Sequence, residues 1–199
     1  MKKSITIIGG SIAGLSAALF FAAAKNNELD FDIVVFDDKK ADLNAAAIYN
    51  VPFFPKGAKA EEIYTHIKAQ IAPMLAVRYI DSSVVEISGQ KGNFITKDNA
   101  GNEVKSDYII VATGASKCDI KGLEGFVKPH TLMPKPNKIR LETKERQMVK
   151  EGIYAAGLVS GVTTMVACAM GSANEAACAI LSDIKGTLSV YHDTPTSRA

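Results

Sequence analysis

The run Ile5-Thr6-Ile7-Ile8-Gly9-Gly10-Ser11-Ile12-Ala13-Gly14 opens this chain, and its reading decides the fold. An alanine-rich segment follows at 15–25, then a second apolar run at 31–36 that ends on Asp37. Strand, glycine turn, helix, strand and acid in that order make a βαβ unit suited to a dinucleotide. Gly9 lets the chain turn sharply out of the strand, and Gly14 lets the helix pack closely on it. The position where a glycine usually lets backbone approach a pyrophosphate holds Ser11. Free N–H groups and the positive dipole end of the helix face that pyrophosphate. Asp37 stands where a carboxylate accepts hydrogen bonds from a ribose 2′-OH. The competing reading is a glycine turn in an ordinary α/β domain that binds nothing.

Composition narrows the class. With 199 residues and 47% apolar content, the chain is one domain or a compact pair with a sizeable core. A formal charge of +2 gives no overall field that argues for nucleic acid. No apolar run reaches the roughly 18–20 residues of a membrane span. The apolar stretch at 15–24 follows a strand and a glycine turn, which a signal peptide would not place there. Cys118, Cys168 and Cys178 are odd in number and form no CxxC, so neither a metal site nor a vicinal redox disulfide is expected. A cytoplasmic, reducing setting follows as the expectation.

Past Asp37, the polar stretch Asp38-Lys39-Lys40 reads as a loop whose lysines either cover an adenine or its phosphate or are simply solvated. Asn50-Val51-Pro52-Phe53-Phe54-Pro55 excludes a helix and suggests a rigid segment against something flat, either the core or a ligand. Residues 59–75 carry Ile63, Ile67, Ile71 and Leu75 at helical spacing. The runs 77–80, 83–87 and 93–96 are expected to form a small antiparallel meander, and 107–111 a buried strand leading into Ala112-Thr113-Gly114-Ala115. Residues 116–150 lose periodicity, carry prolines at 129, 134 and 136, and set nine Lys/Arg against four Asp/Glu. They read as a connecting segment with short strands at 126–127 and 139–141, its charge solvated or docking an acidic partner. Gly152-Ile153-Tyr154-Ala155-Ala156-Gly157 is a strand ending in glycine, and 165–184 a long helix of small residues. The tail after Gly186 is expected to be polar and mobile.

Three blocks together resemble thioredoxin reductase-like flavoproteins, within the class of pyridine nucleotide–disulfide oxidoreductases. They are Ile-Ile-Gly-Gly-Ser-Ile-Ala-Gly-Leu-Ser-Ala-Ala at 7–18, Ala-Thr-Gly-Ala at 112–115 and Gly-Ile-Tyr-Ala-Ala-Gly at 152–157. The resemblance implies a Rossmann-like α/β FAD-binding domain over 1–185, with a parallel sheet, flanking helices and a β-meander. It places Gly9, Gly10, Ser11, Ile12, Ala13 and Gly14 around the FAD pyrophosphate. Asp37, with Asp38 and Lys39 beside it, falls at the adenosine, and Val85 meets the adenine through its backbone. Ala112, Thr113 and Gly114 pass close to the cofactor. Asn50 belongs to the segment covering the flavin, while Gly157, Leu158, Met165 and Val166 face the ribityl chain and ring.

Three departures shape the functional expectation. The segment 116–150 is too short for the NAD(P)H-binding domain that the family inserts there. The family's CxxC lies in that domain and is missing here. Leu158 replaces the aspartate that usually accepts a hydrogen bond from a ribityl hydroxyl, a loss of about 1.5–3 kcal/mol. The leading expectation is a minimal FAD-dependent oxidoreductase with an external donor: a free nicotinamide, a dithiol or a protein partner. The alternative is a non-catalytic FAD- or ADP-binding protein of the same fold. An NAD-dependent dehydrogenase is a weaker third reading. No catalytic base is assigned; His66, His130 and His192 read as surface histidines, although His130 lies where it can swing toward the ring. Cys168 and Cys178 read as buried small hydrophobes. Losing a domain uncovers apolar surface, so a homodimer is expected.

Overall fold

In the computed structural model, which describes residues 1–192, the two apolar runs form parallel strands joined by a helix. Strand β1 (Lys2–Ile8) pairs with β2 (Asp30–Phe36), Ile5 opposite Ile33 and Ile8 opposite Phe36. Between them runs α1 (Ile12–Ala24), buried on nearly every side. A helix apolar all round must be enclosed, and α1 packs against two others. One 3-10 turn (Asp42–Ala45) and a two-residue ribbon, β3 (Ala47–Ile48) with β4 (Ala58–Lys59), lead into α2 (Ala60–Ile71). Then come β5 (Val77–Ile80), a meander of β6 (Val84–Gln90), β7 (Asn93–Asp98) and β8 (Glu103–Ser106), and β9 (Tyr108–Val111). The hairpin β10 (Val127–Pro129) and β11 (Ile139–Leu141), then β12 (Met148–Lys150) and β13 (Ile153–Ala155), precede α3 (Val166–Lys185).

The main sheet has the order β12-β13-β9-β1-β2-β5, parallel except for β12. Side-chain alternation divides two cores across it. Ile5, Ile7, Ile33, Val35 and Ile110 pack with the three helices. Ile8, Val34, Phe36, Ile109 and Val111 pack with Val84, Ile87, Phe94 and Val104 of the meander. In α3, Ala173, Ala176 and Ala177 are fully buried, so small side chains bring it close to α1.

Two expectations change. Residues 77–80 belong to the parallel sheet beside β2, and the third meander strand is β8. Four residues of Val-Arg-Tyr-Ile carry no signal for which sheet they join, and β8 offers only Val104 as a large apolar residue. The segment 116–150 does more than connect. It buries Cys118, Ile120, Leu123, Leu141 and Val149 in the second core. Beyond α3, Tyr191 meets Phe20 edge-on at 6.5 Å; positions 193–199 of the expected tail lie outside the described residues. Among the described residues, no helix is long and apolar enough to cross a membrane.

At the amino end of β9, away from the glycine turn, Asp183 of α3 accepts hydrogen bonds from Tyr108 Oη at 2.6 Å and Lys91 Nζ at 2.8 Å. Burial works to raise its pKa, but these two partners hold the carboxyl below the usual carboxylate range. The stabilisation is therefore complete above the unfolded carboxylate pKa near ~4 and is lost as pH falls through the lower folded value. Asp183→Asn is expected to cost about 1–3 kcal/mol at pH 7. Urea midpoints measured from pH 7 to pH 3 should fall less steeply in the variant; equal slopes would remove Asp183 from the acid response.

Candidate functional site

The three central strand ends are knitted together at the glycine turn. Gly9 N–H donates to Phe36 O at 2.7 Å and Ala112 N–H to Ile8 O at 2.7 Å. Gly9 has φ +120°, and a Cβ there would lie 2.2 Å from the Ala112 carbonyl oxygen. On Gly14 a Cβ would lie 1.9 Å from Gly9 O, so only glycine lets α1 sit this close to the turn. The first intrahelical bond is Leu15 N–H to Ser11 O at 2.9 Å, which leaves the N–H groups of Ile12, Ala13 and Gly14 ahead of it. The first turn holds no acidic residue to take them.

A groove of about 820 Å³ runs past this helix start, lined by Gly10, Ser11, Asp37, Lys39, Asn44, Lys59, Tyr64 and Lys68 among others. Ser11 Oγ lies 2.7 Å from Tyr64 Oη, and Tyr64 Oη donates to Asn44 Oδ1 at 3.2 Å. Burial pushes the Tyr64 hydroxyl pKa up, against the Ser11 bond. Tyr64 and Asn44 were not legible as site residues. Tyr64 sits off the Ile63–Ile67 stripe, and no motif marks it. Asp37 accepts the Lys39 N–H at 3.0 Å and pairs with Lys39 Nζ at 3.0 Å. Lys39 also reaches Asp81 at 2.8 Å, and chiefly that pair holds its ammonium pKa above the ordinary value. Lys39 is therefore ion-paired, where the sequence suggested a solvated or ligand-covering lysine.

Asp38 and Val85 stand on the meander side. Asp38 accepts from Ser83 Oγ at 3.3 Å. The Val85 carbonyl accepts the Lys121 N–H at 2.9 Å, so half of its expected backbone contact to adenine is already taken within the protein.

At the other end of α1's start, Gly157 has φ +72°, and a Cβ there would lie 2.8 Å from Ala13 Cβ. Its N–H donates to Ser172 Oγ of α3 at 2.8 Å, pinning the turn to that helix. Asn50 Nδ2 approaches Met165 Sδ at 3.9 Å, so the 49–57 loop meets the start of α3, where Val166 is half-buried. Ala112 is buried and Gly114 has φ +75°. The buried Thr113 hydroxyl has only the Cys118 thiol, a weak hydrogen-bond partner, beside it.

Leu158 is half-buried in the 3-10 turn Gly157–Ser160, and its carbonyl accepts from Gly161 N–H at 3.0 Å and His130 Nε2 at 3.0 Å. Leu132 N–H donates to His130 Nδ1 at 3.1 Å, which assigns the neutral Nε2–H tautomer. His130 is thus no plain surface histidine but a fastener on the Leu158 turn. His66 and His192 are exposed. The three cysteines are free. Cys118 is buried, which pushes its thiol up to about 11. Cys178 is half-buried, whereas Cys168 is exposed in the first turn of α3, against the expectation of a buried hydrophobe.

Known proteins resemble this arrangement at several levels. The family model for pyridine nucleotide-disulphide oxidoreductases matches residues 3–172. A ferredoxin–NADP reductase from Acidiphilium cryptum is 30% identical over 117 residues, covering 58% of this chain and 34% of that protein. The same-named protein of Rickettsia felis is 35% identical over 68 residues, covering 34% of this chain and 20% of its own length. The chain thus spans a fifth to a third of these curated relatives. Among solved structures, a thioredoxin reductase from Gloeobacter violaceus superposes with a TM-score of 0.76 at 14% identity, covering 97% of this chain and 99% of that one. An atypical thioredoxin reductase from Desulfovibrio vulgaris Hildenborough gives 0.69 at 18% identity, covering 92% and 98%. At these identities the structures speak for the fold: the α/β architecture of a thioredoxin reductase FAD-binding domain.

Proposed function

Because this chain belongs to the pyridine nucleotide-disulphide oxidoreductase family, we propose that it is an FAD-dependent oxidoreductase drawing electrons from an external donor: a free reduced nicotinamide, a dithiol or a protein partner. The observation that carries this reading is the convergence on one helix start. The groove past Asp37 borders the start of α1, and the Gly157 turn meets the same start at Ala13, so the N–H groups of α1 lie between them, as a long dinucleotide requires. The fit is chemical as well. Glycine at 9 and 14 lets β1, α1 and the Ala112 backbone close up at the turn, and no acidic residue in the first turn of α1 takes the N–H groups of Ile12, Ala13 and Gly14.

Residues 9–14 would hold the pyrophosphate, Asp37 the adenosine ribose, and Ala112, Thr113 and Gly114 the middle of the cofactor. Asn50, Gly157, Leu158, Met165 and Val166 would flank the flavin end. Bound there, FAD supplies electron transfer to and from the donor; the protein orients it and controls access to it. No second glycine fingerprint lies in 116–150, whose chain is committed to the second core and the β10–β11 hairpin. The donor must then come from outside this domain. Exposed Tyr49, Phe53 and Met165 beside the flavin end support a homodimer that covers them, and three free thiols support a reducing, cytoplasmic setting.

One observation favours a second reading. Leu158 offers no carboxylate to a ribityl hydroxyl, so a protein that keeps the fold and binds FAD or ADP without turnover has support. The deciding experiment is the visible spectrum of the purified chain before and after FAD addition and desalting, followed by anaerobic addition of NADH, NADPH or dithiothreitol. Retained flavin absorbance near ~450 nm that one reductant bleaches is the expected result. A colourless chain that takes up ADP but no FAD would turn the assignment to the nucleotide-binding reading. Light scattering on the same sample should give a dimer; a monomer at micromolar concentration removes that part.

A further inference from the structure

The β10–β11 hairpin reaches the short turn that borders the groove through one side chain. Ile139 N–H donates to Ala115 O at 2.9 Å, which seats β11 beside the chain leaving β9. Just before it, Lys138 extends its ammonium to Ser116 Oγ at 2.9 Å and to Asp42 Oδ2 at 3.4 Å. Ser116 follows β9 and Asp42 follows β2, and these strands lie on either side of β1 in the sheet. The Ser116–Lys138–Asp42 bridge therefore spans the carboxyl end of β1, the end at which the glycine turn begins. Asp42 opens the same short turn that carries Asn44, which Tyr64 ties to Ser11. Lys138 thus bonds the same turn that Tyr64 ties to Ser11.

The electrostatics of the bridge are unequal. The Lys138 side chain is only 15% exposed, while its carboxylate partner is 59% exposed. An ammonium held this far from water needs a full, close anion, and a long contact to a solvated carboxylate gives it little. The groove has the opposite deficit: a pyrophosphate there brings negative charge to a helix start whose first turn contains no lysine or arginine. Of the lysines along the groove, Lys39 is committed to Asp37 and Asp81, Lys68 stands over the Tyr79 ring at 4.6 Å, and Lys59 is exposed at the start of α2.

We propose that Lys138 is a phosphate ligand of the bound dinucleotide, exchanging Asp42 for pyrophosphate oxygens while Ser116 and the hairpin hold its stem in place. The segment 116–150 is then part of the cofactor site. This rests on the FAD reading above and adds to it a residue from outside the glycine block.

The test is fluorescence titration of the full chain with FAD and with riboflavin, which lacks the phosphates, for wild type, Lys138→Gln, Lys138→Arg and Asp42→Asn. Lys138→Gln is expected to weaken FAD about tenfold or more while leaving riboflavin unchanged, with the FAD loss shrinking at high salt. Lys138→Arg should recover most of it, and Asp42→Asn should tighten FAD by removing the competitor. FAD binding to Lys138→Gln within twofold of wild type would overturn the proposal alone. So would equal weakening of FAD and riboflavin with a lowered melting temperature, which would mark Lys138 as structural. A wild-type chain that binds neither FAD nor ADP would overturn the cofactor reading and this inference with it.

Discussion

Gly14→Ala is expected to lower stability by about 3 kcal/mol or more and to abolish FAD retention, whereas Gly171→Ala, the same change in another helix, is expected to stabilise by about 0.5–1 kcal/mol. Both glycines lie inside helices, where alanine is intrinsically the better residue. Surroundings reverse the sign at one of them. A Cβ on Gly14 would sit 1.9 Å from the Gly9 carbonyl oxygen and 3.1 Å from Ile7 Cγ2. The first of these is backbone at the turn that joins β1 to α1, so no side-chain rotation relieves it. The helix must back away, and it would take with it the N–H groups that face the groove. On exposed Gly171 a Cβ meets nothing within 4 Å. For a chain of this size, about 3 kcal/mol corresponds to a fall of about 6–12 °C in melting temperature. Thermal and urea melts of the two variants decide it: a Gly14→Ala protein that melts with wild type would mean that the helix and the strand are not locked at this turn.

That constraint explains why the β1–α1–β2 unit was legible in the chain. Its signals are local: apolar runs of strand length, a glycine wherever backbone meets backbone, and a carboxylate at the second strand end. The Gly157 turn and the α3 start were legible for the same reason, each lying within a few residues of its own motif. What escaped notice depends on contacts distant in sequence. Lys138 meets Asp42 across 96 residues, Tyr64 meets Ser11 across 53, and His130 meets Leu158 across 28. No periodicity encodes such pairs; they exist only once the sheet order is set. The misplacement of β5 has a related cause. Val77 and Ile80 are half-buried and Tyr79 is exposed, so this edge strand lacks the unbroken apolar run of a central parallel strand. Lys39 shows the limit from the other side: its position beside Asp37 was plain, but its ion pair with Asp81 arises because β5 ends beside β2.

Leu158→Asp is expected to tighten FAD binding by about ten- to a hundredfold and to leave ADP binding unchanged, because only FAD carries a ribityl chain. The substitution is clean in its backbone. The Leu158 carbonyl is held by Gly161 N–H and His130 Nε2, and Gly157 N–H is held by Ser172 Oγ, so the turn keeps its shape whatever side chain stands at 158. The leucine is half-buried, so a carboxylate there reaches water or a ligand hydroxyl, and the expected stability cost is about 1–2 kcal/mol. Leu158→Asn, with a neutral acceptor, should give a smaller gain. Fluorescence titrations with FAD and ADP separate the two functional readings. Tighter FAD with unchanged ADP would mean that the flavin end of the groove is built for a ribityl chain and lacks one acceptor, which favours the oxidoreductase. Unchanged affinity for both ligands would mean that no ribityl hydroxyl reaches this turn. The groove would then be a nucleotide site in which no ribityl chain extends as far as residue 158.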